Sequence, residues 1–458
     1  MTRIHMVGIG GAGMSALARL YLQRGETLSG SDQVASRALD ELRALGADCY
    51  AGSDPPRAAA ADLVVYSSAV PETDPELSAA RAAGVRSVKH AVALGDLFNT
   101  RRGIAIAGTH GKTTTSSMVS LILERAGLRP SFQVGGEIMD LGTSARWGAG
   151  EWFVVEADEF DRRFLEYTPE VATINNVEPD HFEYYATYEN MRGAFADFLR
   201  RLRPDGTAVV WGEDERLSGI VKEVQPPHVV TFGLDTNGTS WDVSASDVAL
   251  EGGGSHFSAR AGDEAADVRL VIPGVHNVRN ALAAIATSRS AGVSLTHAAQ
   301  TLAQFHGARR RLQLLAEHAG IRVFDDYAHH PTAVQLMIEA MRRQVPRDGR
   351  LWAVFQPHLR TRTEELFDEL AGAFAGADVA LITDVYSPKG REPEGAYRDS
   401  AALVRATRHP GARHVPTLEE ARAILARDLR PGDIALIMGA GTIERLAQEV
   451  ASDVKQRA

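Results

Sequence analysis

The chain has 458 residues, 44% of them hydrophobic, which predicts a globular protein of about three domains. A formal net charge of −10 argues against nucleic acid as the main partner, and the lack of an apolar run of about 18 residues or of an apolar leader argues against membrane insertion and secretion. Because Cys49 is the single cysteine, an intramolecular disulfide and a thiolate metal cluster are excluded, and we expect a cytoplasmic protein.

Residues 1–99 alternate strand-like and helix-like runs, and they form the first predicted domain. Strands are predicted at 4–9 and 63–66, and helices at 14–24 and 38–45. This rhythm is typical of a parallel sheet with crossover helices. We therefore predict an α/β, Rossmann-like N-terminal domain.

A glycine turn follows the first strand. Residues 8–13 read GIGGAG, which matches GxGxxG between a strand and a helix, and Asp32 lies nineteen residues after Gly13. Both features are typical of nicotinamide dinucleotide sites, so a nicotinamide-dependent dehydrogenase is one hypothesis. The glycines, however, only let a pyrophosphate approach the backbone, and a UDP-sugar also carries a pyrophosphate. A turn that serves only packing is a further alternative.

A second glycine loop opens the next predicted domain, residues 100–308. The predicted strand 103–107 runs directly into GTHGKTT at 108–114, and a helix follows at 115–123. In such a loop backbone N–H groups and the helix dipole face phosphate oxygens, Lys112 adds a full charge, and the Thr113 hydroxyl can bind Mg²⁺. The loop is one residue shorter than the common spacing, but its context predicts a P-loop ATPase-like domain that binds a nucleoside triphosphate. A simple dehydrogenase does not require a triphosphate-binding loop, so the loop argues against that hypothesis.

Acidic and histidine side chains follow the later strands of this domain. Glu156 ends a predicted strand at 152–156, and His181 comes after another at 171–175. Because carboxyl ends of parallel strands meet at one edge of a sheet, we expect both near the phosphate loop. Solvated acids and a structural histidine are the alternatives. A glycine-rich excursion or hairpin region is predicted at 236–263.

The third predicted domain, residues 309–458, begins where the periodicity breaks around the arginine run 309–311. Before this break, a helix is predicted at 277–288. After it, strands are predicted at 321–324, 352–355, 379–383 and 434–438, with helices between them. The alternation predicts a second Rossmann-like domain, and a closing motion about the segment near 307–311 is expected.

Seven motifs in order resemble the ATP-dependent Mur ligases along the whole chain. They are GIGGAGM, GTHGKTTT, EADE, NNVEPDH, GVHNVRNALAA, DDYAHHP and FQPH, beginning at residues 8, 108, 156, 175, 274, 325 and 355. The resemblance implies a three-domain fold and ATP-driven amide formation through an acyl phosphate. The glycine set and the paired histidines are most similar to the member that adds L-alanine to UDP-N-acetylmuramate in peptidoglycan precursor synthesis. The murein tripeptide recycling ligase is the nearest alternative.

The resemblance also implies roles for the matching positions. The phosphate loop would bind the nucleotide, with Asn280 contacting the adenine, Asp326 the ribose and Arg310 a phosphate. Of the arginine run 309–311, only one or two residues need to contact a substrate. Mg²⁺ would be bound by Thr113, Glu156 and His181. The residues implied in catalysis are Lys112, His181, His329 and His330, and the loop residues implied in ATP binding are Gly108, Thr109, His110, Gly111, Lys112, Thr113 and Thr114.

For the remaining substrates the resemblance implies two groups of residues. The UDP-sugar would lie on Gly10, Gly11, Ala12, Gly13, Asp32 and Ser68. A substrate carboxylate would meet His358 and either Arg360 or Arg362, because the family's FQPHR reads FQPHL here. Arg192 stands where relatives often have a lysine that becomes carbamylated, so no carbamate bridge between metals is expected. We also expect a monomer or weak dimer; a binding protein regulated by nucleotide, without turnover, is the third hypothesis.

Overall fold

The computed structural model describes residues 2–236, 241–251, 253–388, 392 and 395–457, and these residues form three separate sheets with helices between their strands. The three-domain α/β class predicted from the sequence is confirmed. The boundaries at 99/100 and 308/309 stay predictions. No helix in the described ranges is long and apolar enough to cross a membrane.

The first sheet has five parallel strands in the order β3-β2-β1-β4-β5. Chain order reverses on either side of β1, and ligands of such sheets bind at this switch point, beyond the carboxyl ends of the strands. The glycine turn lies there. The elements are β1 Arg3–Val7, α1 Ala12–Gln23, β2 Thr27–Asp32, α2 Arg37–Ala44, β3 Asp48–Ala51, α3 Pro55–Ala59, β4 Leu63–Tyr66, α4 Pro75–Ala82, β5 Arg86–Lys89 and α5 His90–Phe98.

The second sheet has ten strands in the order β15-β14-β13-β12-β11-β10-β6-β9-β7-β8. Its strands are β6 Arg102–Ala107, β7 Ser131–Ile138, β8 Thr143–Arg146, β9 Trp152–Glu156, β10 Val171–Ile174, β11 Thr207–Trp211, β12 His228–Leu234, β13 Val243–Ala249, β14 Ser255–Ala261 and β15 Glu264–Leu270. Its helices are α6 Lys112–Arg125, α7 Phe182–Tyr185, α8 Tyr188–Arg200, α9 Glu215–Val224, α10 Val275–Ser290 and α11 Leu295–Leu302, with a 3₁₀ helix at Phe160–Glu166.

Alternation along β6 explains how this sheet is buried on both faces. Ile104 and Ile106 pack with α6 and α10, whereas Ala105 and Ala107 join the core on the opposite face, which is continuous with the first domain. Burial on both faces is typical of parallel strands with crossover helices. The excursion predicted at 236–263 overlaps the antiparallel strands β13 and β14, and its residues 237–240 and 252 lie outside the described residues.

The third sheet has six strands in the order β16-β17-β21-β18-β19-β20, parallel except for the hairpin of β16 and β17. Helices cover both faces, so its strands contribute to two cores. The elements are β16 Gln313–His318, β17 Ile321–Asp326, α12 Pro331–Arg342, β18 Leu351–Phe355, α13 Arg360–Glu365, α14 Phe367–Gly372, β19 Val379–Ile382, α15 Ser400–Thr407, β20 Ala412–His414, α16 Leu418–Asp428, β21 Ile434–Met438 and α17 Ile443–Lys455.

Candidate active site

A cavity of about 1430 Å³ lies where the three domains meet. Most of the residues singled out in the sequence line it, although they come from sheets far apart in the chain. Those lining it are Gly11, Ala12, Gly13, Ser68, Thr109, His110, Gly111, Lys112, Thr113, Thr114, Glu156, His181, Asn280, Asp326, His329, His330, His358 and Arg362. Those set back from it are Gly10, Asp32, Gly108, Arg310 and Arg360.

The phosphate loop connects β6 to α6 in a conformation that only glycine adopts readily. Gly108 has φ +130° and Gly111 has φ +80°. A Cβ on Gly111 would lie 2.3 Å from Oδ1 of Asn280, so the loop is packed against α10 as well as curled. Asn280 therefore packs directly against the backbone of the loop. Its predicted contact with adenine stays a prediction.

Lys112 lies inside the loop and is paired with an acid. Its Nζ donates to the carbonyl oxygen of Gly108 at 2.6 Å and lies 2.8 Å from Oε2 of Glu159, a side chain that is 1% exposed. Burial by itself lowers the pKa of Lys112, but the carboxylates of Glu159 and Asp158 raise it above its ordinary value. The lysine is thus a buried cation. Glu159 was not singled out in the sequence, because a carboxylate in a loop carries no signal of its partner.

The three predicted Mg²⁺ ligands lie around the same cavity without touching one another. The Glu156 carboxylate accepts from the backbone N–H of Gly135 at 2.7 Å. The Thr113 hydroxyl accepts from Nη2 of Arg311 at 2.8 Å. No hydrogen bond or ion pair joins these two to each other or to His181 in the described part of the chain. Nε2 of His181 lies 3.7 Å from Oε1 of Glu159, the ion-pair partner of Lys112.

His181 has an acidic surrounding of its own. Its Nδ1 lies 3.3 Å from Oε1 of Glu183, and its Nε2 lies 3.9 Å from Oδ2 of Asp180. Although burial lowers the pKa of His181, these carboxylates raise it above the usual value. Its backbone, with φ +54°, is in the left-handed region, where a non-glycine residue costs energy and is often found at functional sites.

The paired histidines of the third domain reach the cavity from the end of β17. Nδ1 of His329 lies 3.0 Å from the carbonyl oxygen of Tyr327, and burial holds the pKa of His329 well below its usual range. Burial also lowers the pKa of His330 to about 4. Both rings are therefore neutral at pH 7. The predicted ribose contact, Asp326, is buried and accepts from the backbone N–H groups of Leu312 and Ala328, each at 2.7 Å.

The sequence left open which of Arg360 and Arg362, and which residues of the run 309–311, contact a substrate. In the structure these arginines differ in whether they line the cavity. Arg362, on α13, is 5% exposed and its Nε donates to Oδ1 of Asp180 at 2.9 Å, which joins the third domain to the second. Arg360, two residues earlier, is exposed and outside the cavity. Of the arginine run, Arg309 and Arg311 line the cavity, whereas Arg310 turns away to Asp325 and the carbonyl oxygen of Gly439.

Arg310 and Arg311 separate because of local backbone conformation. Arg310 has φ +60° and Leu312 has φ +46°, so successive side chains leave the segment in different directions. Nothing in the spacing of three consecutive arginines reveals this. Arg192 is also accounted for: on α8 it forms ion pairs with Glu189 and Glu223 and does not line the cavity.

The glycine turn of the first domain presents Gly11 and Gly13 to the cavity and keeps Gly10 and Asp32 behind them. The backbone N–H of Gly10 donates to Oδ2 of Asp32 at 2.8 Å, which fixes the turn. Sequence reasoning missed His90, whose Nε2 lies 3.1 Å from the carbonyl oxygen of Gly13. It also missed Arg163 of the second domain, which donates a hydrogen bond to the hydroxyl of the predicted Ser68 at 2.9 Å.

The comparisons with known proteins match this arrangement domain by domain. Family models described as "Mur ligase family, catalytic domain", "Mur ligase middle domain" and "Mur ligase, glutamate ligase domain" match residues 3–102, 106–288 and 310–441. Two similar relatives are named UDP-N-acetylmuramate--L-alanine ligase. The one from Symbiobacterium thermophilum is 42% identical over 100% of this chain and 95% of its own length, and the one from Mycolicibacterium gilvum is 38% identical over 100% and 98%.

Solved structures of two related ligases superimpose on the whole chain. The UDP-N-acetylmuramate-alanine ligase of Thermotoga maritima is 27% identical with a TM-score of 0.81 and covers 99% of each chain. The murein peptide ligase of Psychrobacter arcticus is also 27% identical, with a TM-score of 0.73 and complete coverage of both chains. By its matched domains, its full-length relatives and its fold, the chain belongs to the Mur ligase family.

Proposed function

We propose that this chain is an ATP-dependent ligase that joins L-alanine to the carboxylate of UDP-N-acetylmuramate in peptidoglycan precursor synthesis. One observation carries the proposal: the glycine turn of the first domain, the phosphate loop of the second and His329 and Arg362 of the third line one cavity. A reaction of three substrates needs such a meeting point. Full-length similarity to ligases named for these two substrates supports their choice.

The reaction has to activate a carboxylate before an amide can form. The γ-phosphoryl group of ATP passes to the muramoyl carboxylate, and ADP is the leaving group. The amine of L-alanine loses a proton and attacks the acyl carbon, and inorganic phosphate leaves from the tetrahedral intermediate. Because water would hydrolyse the acyl phosphate, enclosure by three domains protects it.

Two cations of the chain are placed to stabilise the transferring phosphoryl group. Phosphate oxygens at the loop would replace Glu159 as the partner of Lys112. Arg311 approaches the same loop from the third domain, through Thr113, and we assign the phosphate contact to it in place of Arg310. Such contacts are effective because they are fixed before charge develops.

His329 is the group that we assign to the amine of L-alanine. It lines the cavity, and burial keeps its ring neutral. With Nδ1 beside a carbonyl oxygen that can only accept, the ring proton is on Nδ1 and the Nε2 lone pair can accept a hydrogen bond from the amine.

Mg²⁺ fits the residues predicted to bind it. The carboxylate of Glu156 and the hydroxyl of Thr113 are hard oxygen donors, and both side chains line the cavity. When bound, Mg²⁺ would neutralise charge on the β- and γ-phosphates. We propose that His181 completes the metal environment on the Glu159 side.

Release of inorganic phosphate tests the proposal. With ATP and Mg²⁺ present, release is expected only when UDP-N-acetylmuramate and L-alanine are both added, and the product should carry one alanine by mass spectrometry. Glycine and L-serine are the amino-acid controls. Turnover with the tripeptide L-alanyl-γ-D-glutamyl-meso-diaminopimelate instead of L-alanine would assign the chain to the recycling reaction.

The dehydrogenase alternative is tested on the same preparation. The glycine turn alone motivates it, so binding of NADH to the first domain with no phosphate release would favour it. Affinity for nucleotide without any turnover would favour a regulated binding protein. We further propose that the ligase is cytoplasmic and a monomer or weak dimer, with sedimentation velocity as the measurement of its assembly state.

A further inference from the structure

Three metal-ligand side chains from two domains meet at one edge of the cavity. His110 of the phosphate loop and Glu178, which follows β10, belong to the second domain, and His330 precedes α12 of the third. One ligand atom of each lies within 4.8 Å of the others. The side chains of His110 and Glu178 are 17% and 23% exposed, and His330 is 4% exposed. The cluster is therefore largely shielded from water.

Two ring nitrogens in this cluster make no hydrogen bond among the described residues: Nδ1 of His330, and Nε2 of His110, which has only an ion-pair contact with Oε2 of Glu178 at 3.4 Å. Buried polar atoms of this kind are uncommon, because their loss of water is not compensated. Nε2 of His330 lies 3.2 Å from the carbonyl oxygen of Pro179. Since that oxygen can only accept, the ring proton is on Nε2 and the Nδ1 lone pair is free. Metal-binding histidines are commonly oriented by such a bond.

The third group is an ionised carboxylate. Oε2 of Glu178 lies 3.4 Å from Nε2 of His110 and accepts from the Thr332 hydroxyl at 2.7 Å. A carboxylate with two imidazoles is the ligand set of zinc sites that leave one position open.

We propose that His110, Glu178 and His330 form a binding site for a divalent transition-metal cation of the Zn²⁺ class, with a fourth position open to the cavity. Two nitrogen donors and one oxygen donor suit such a cation better than Mg²⁺, which prefers oxygen ligands. The site is distinct from the oxygen donors of Thr113 and Glu156. Because its ligands come from two domains, a bound cation joins the phosphate loop to the third domain.

Cobalt(II) tests this site, because its visible spectrum reports the coordination number. The full chain, free of nucleotide, is titrated with Co²⁺ alone. One equivalent is expected to give the intense absorption of four-coordinate Co²⁺, which Zn²⁺ abolishes and excess Mg²⁺ does not. Glu178→Gln and His330→Gln, which nearly preserve side-chain size, should each weaken Co²⁺ binding by about 10-fold or more.

Two further variants serve as controls. His329→Gln changes the adjacent buried histidine, and His181→Ala removes a predicted Mg²⁺ ligand; both should keep the four-coordinate spectrum. Circular dichroism verifies that each variant is folded. A weak six-coordinate spectrum of the wild type, unchanged Co²⁺ affinity in folded His330→Gln, or loss of the spectrum in His181→Ala alone would overturn the proposal.

Discussion

At the scale of single residues, the ion pair of Lys112 and Glu159 shows how a phosphate site is kept charged before its ligand arrives. Both side chains are shielded from water, and each carries the charge that the other needs. In the proposed reaction, a triphosphate would compete with this carboxylate for the lysine. We therefore expect changes at this one ion pair to affect both stability and turnover.

Lys112→Ala is expected to lower kcat by about 10² or more, because a fixed cation is lost from the transferring phosphoryl group. It should also lower the free energy of unfolding by about 3 kcal/mol, because the buried carboxylate of Glu159 loses its lysine partner. Kinetic assays and chemical denaturation measure the two effects. The double variant Lys112→Ala with Glu159→Gln should recover stability but not activity, and exposed Lys222→Ala is the control. Near-normal turnover of folded Lys112→Ala would contradict the assignment.

His90 gives a prediction for pH. Burial lowers its pKa to about 4, below the ordinary value of 6.5, so the unfolded chain takes up the proton first as the pH falls. Above about pH 6.5, His90 does not change the free energy of unfolding. As the pH falls toward 4, His90 lowers that free energy increasingly, by about 3 kcal/mol at most. When denaturation is measured between pH 7 and pH 4, His90→Gln should lose less unfolding free energy than the wild type.

The control for this experiment is His228→Gln, which changes an exposed histidine of the second domain. Its unfolding free energy should follow the wild-type pH profile. If His90→Gln followed that profile as well, the burial of His90 would not be the cause of acid sensitivity.

At the scale of elements, the turn between β1 and α1 contains one glycine that the fold requires and one that it does not. A Cβ on Gly10 would lie 2.8 Å from Oδ2 of Asp32 and 2.9 Å from a methyl group of Leu39, whereas a Cβ on Gly11 meets nothing closer than 3.6 Å. Gly11 also has φ −63°, which any residue can adopt. Its lack of a side chain is therefore explained by the cavity that it faces.

Gly11→Ala should fold normally and raise KM for UDP-N-acetylmuramate by about tenfold or more, with KM for ATP unchanged, because only the pyrophosphate of the sugar nucleotide approaches this backbone. Gly10→Ala should lower the melting temperature instead. Steady-state kinetics and thermal unfolding measure the difference. An equal rise of both KM values in Gly11→Ala would show that the turn does not bind the UDP-sugar.

At the scale of the whole molecule, buried contacts between domains complete the cavity. Arg362 of the third domain and Asp180 of the second are each 5% exposed, and Arg311 crosses to Thr113. The segment between the domains includes Gly307, with φ +98°. A change of backbone conformation there would separate these pairs and open the cavity, as in enzymes that close over their substrates.

Arg362→Ala is expected to impair closure and catalysis together, because Asp180 would be buried without its partner at a cost of about 3 kcal/mol. We expect kcat to fall and KM for ATP to rise, with a larger radius of gyration in small-angle scattering. Arg360→Ala, a change of the same kind on the exposed side of α13, should have less than about a twofold effect, in line with surface substitutions. Equal effects at both positions would contradict the closure argument.

The features of this protein that depend on neighbouring residues can be predicted from the sequence. The α/β class, the phosphate loop between β6 and α6 and the motifs of the family all follow from local patterns, because strand and helix periodicity and glycine turns are properties of short segments. The predicted strands at 63–66, 152–156 and 434–438 have the same bounds in the structure.

Which side chains of a motif reach the cavity depends instead on how the whole chain folds. Arg311 rather than Arg310, Arg362 rather than Arg360, and the pairing of Lys112 with Glu159 depend on backbone dihedrals and on contacts between residues 47 to 198 positions apart. The gathering of His110 and Glu178 with His330 depends on two domains coming together. Such contacts are set by packing over the whole chain, and short segments of sequence do not specify them.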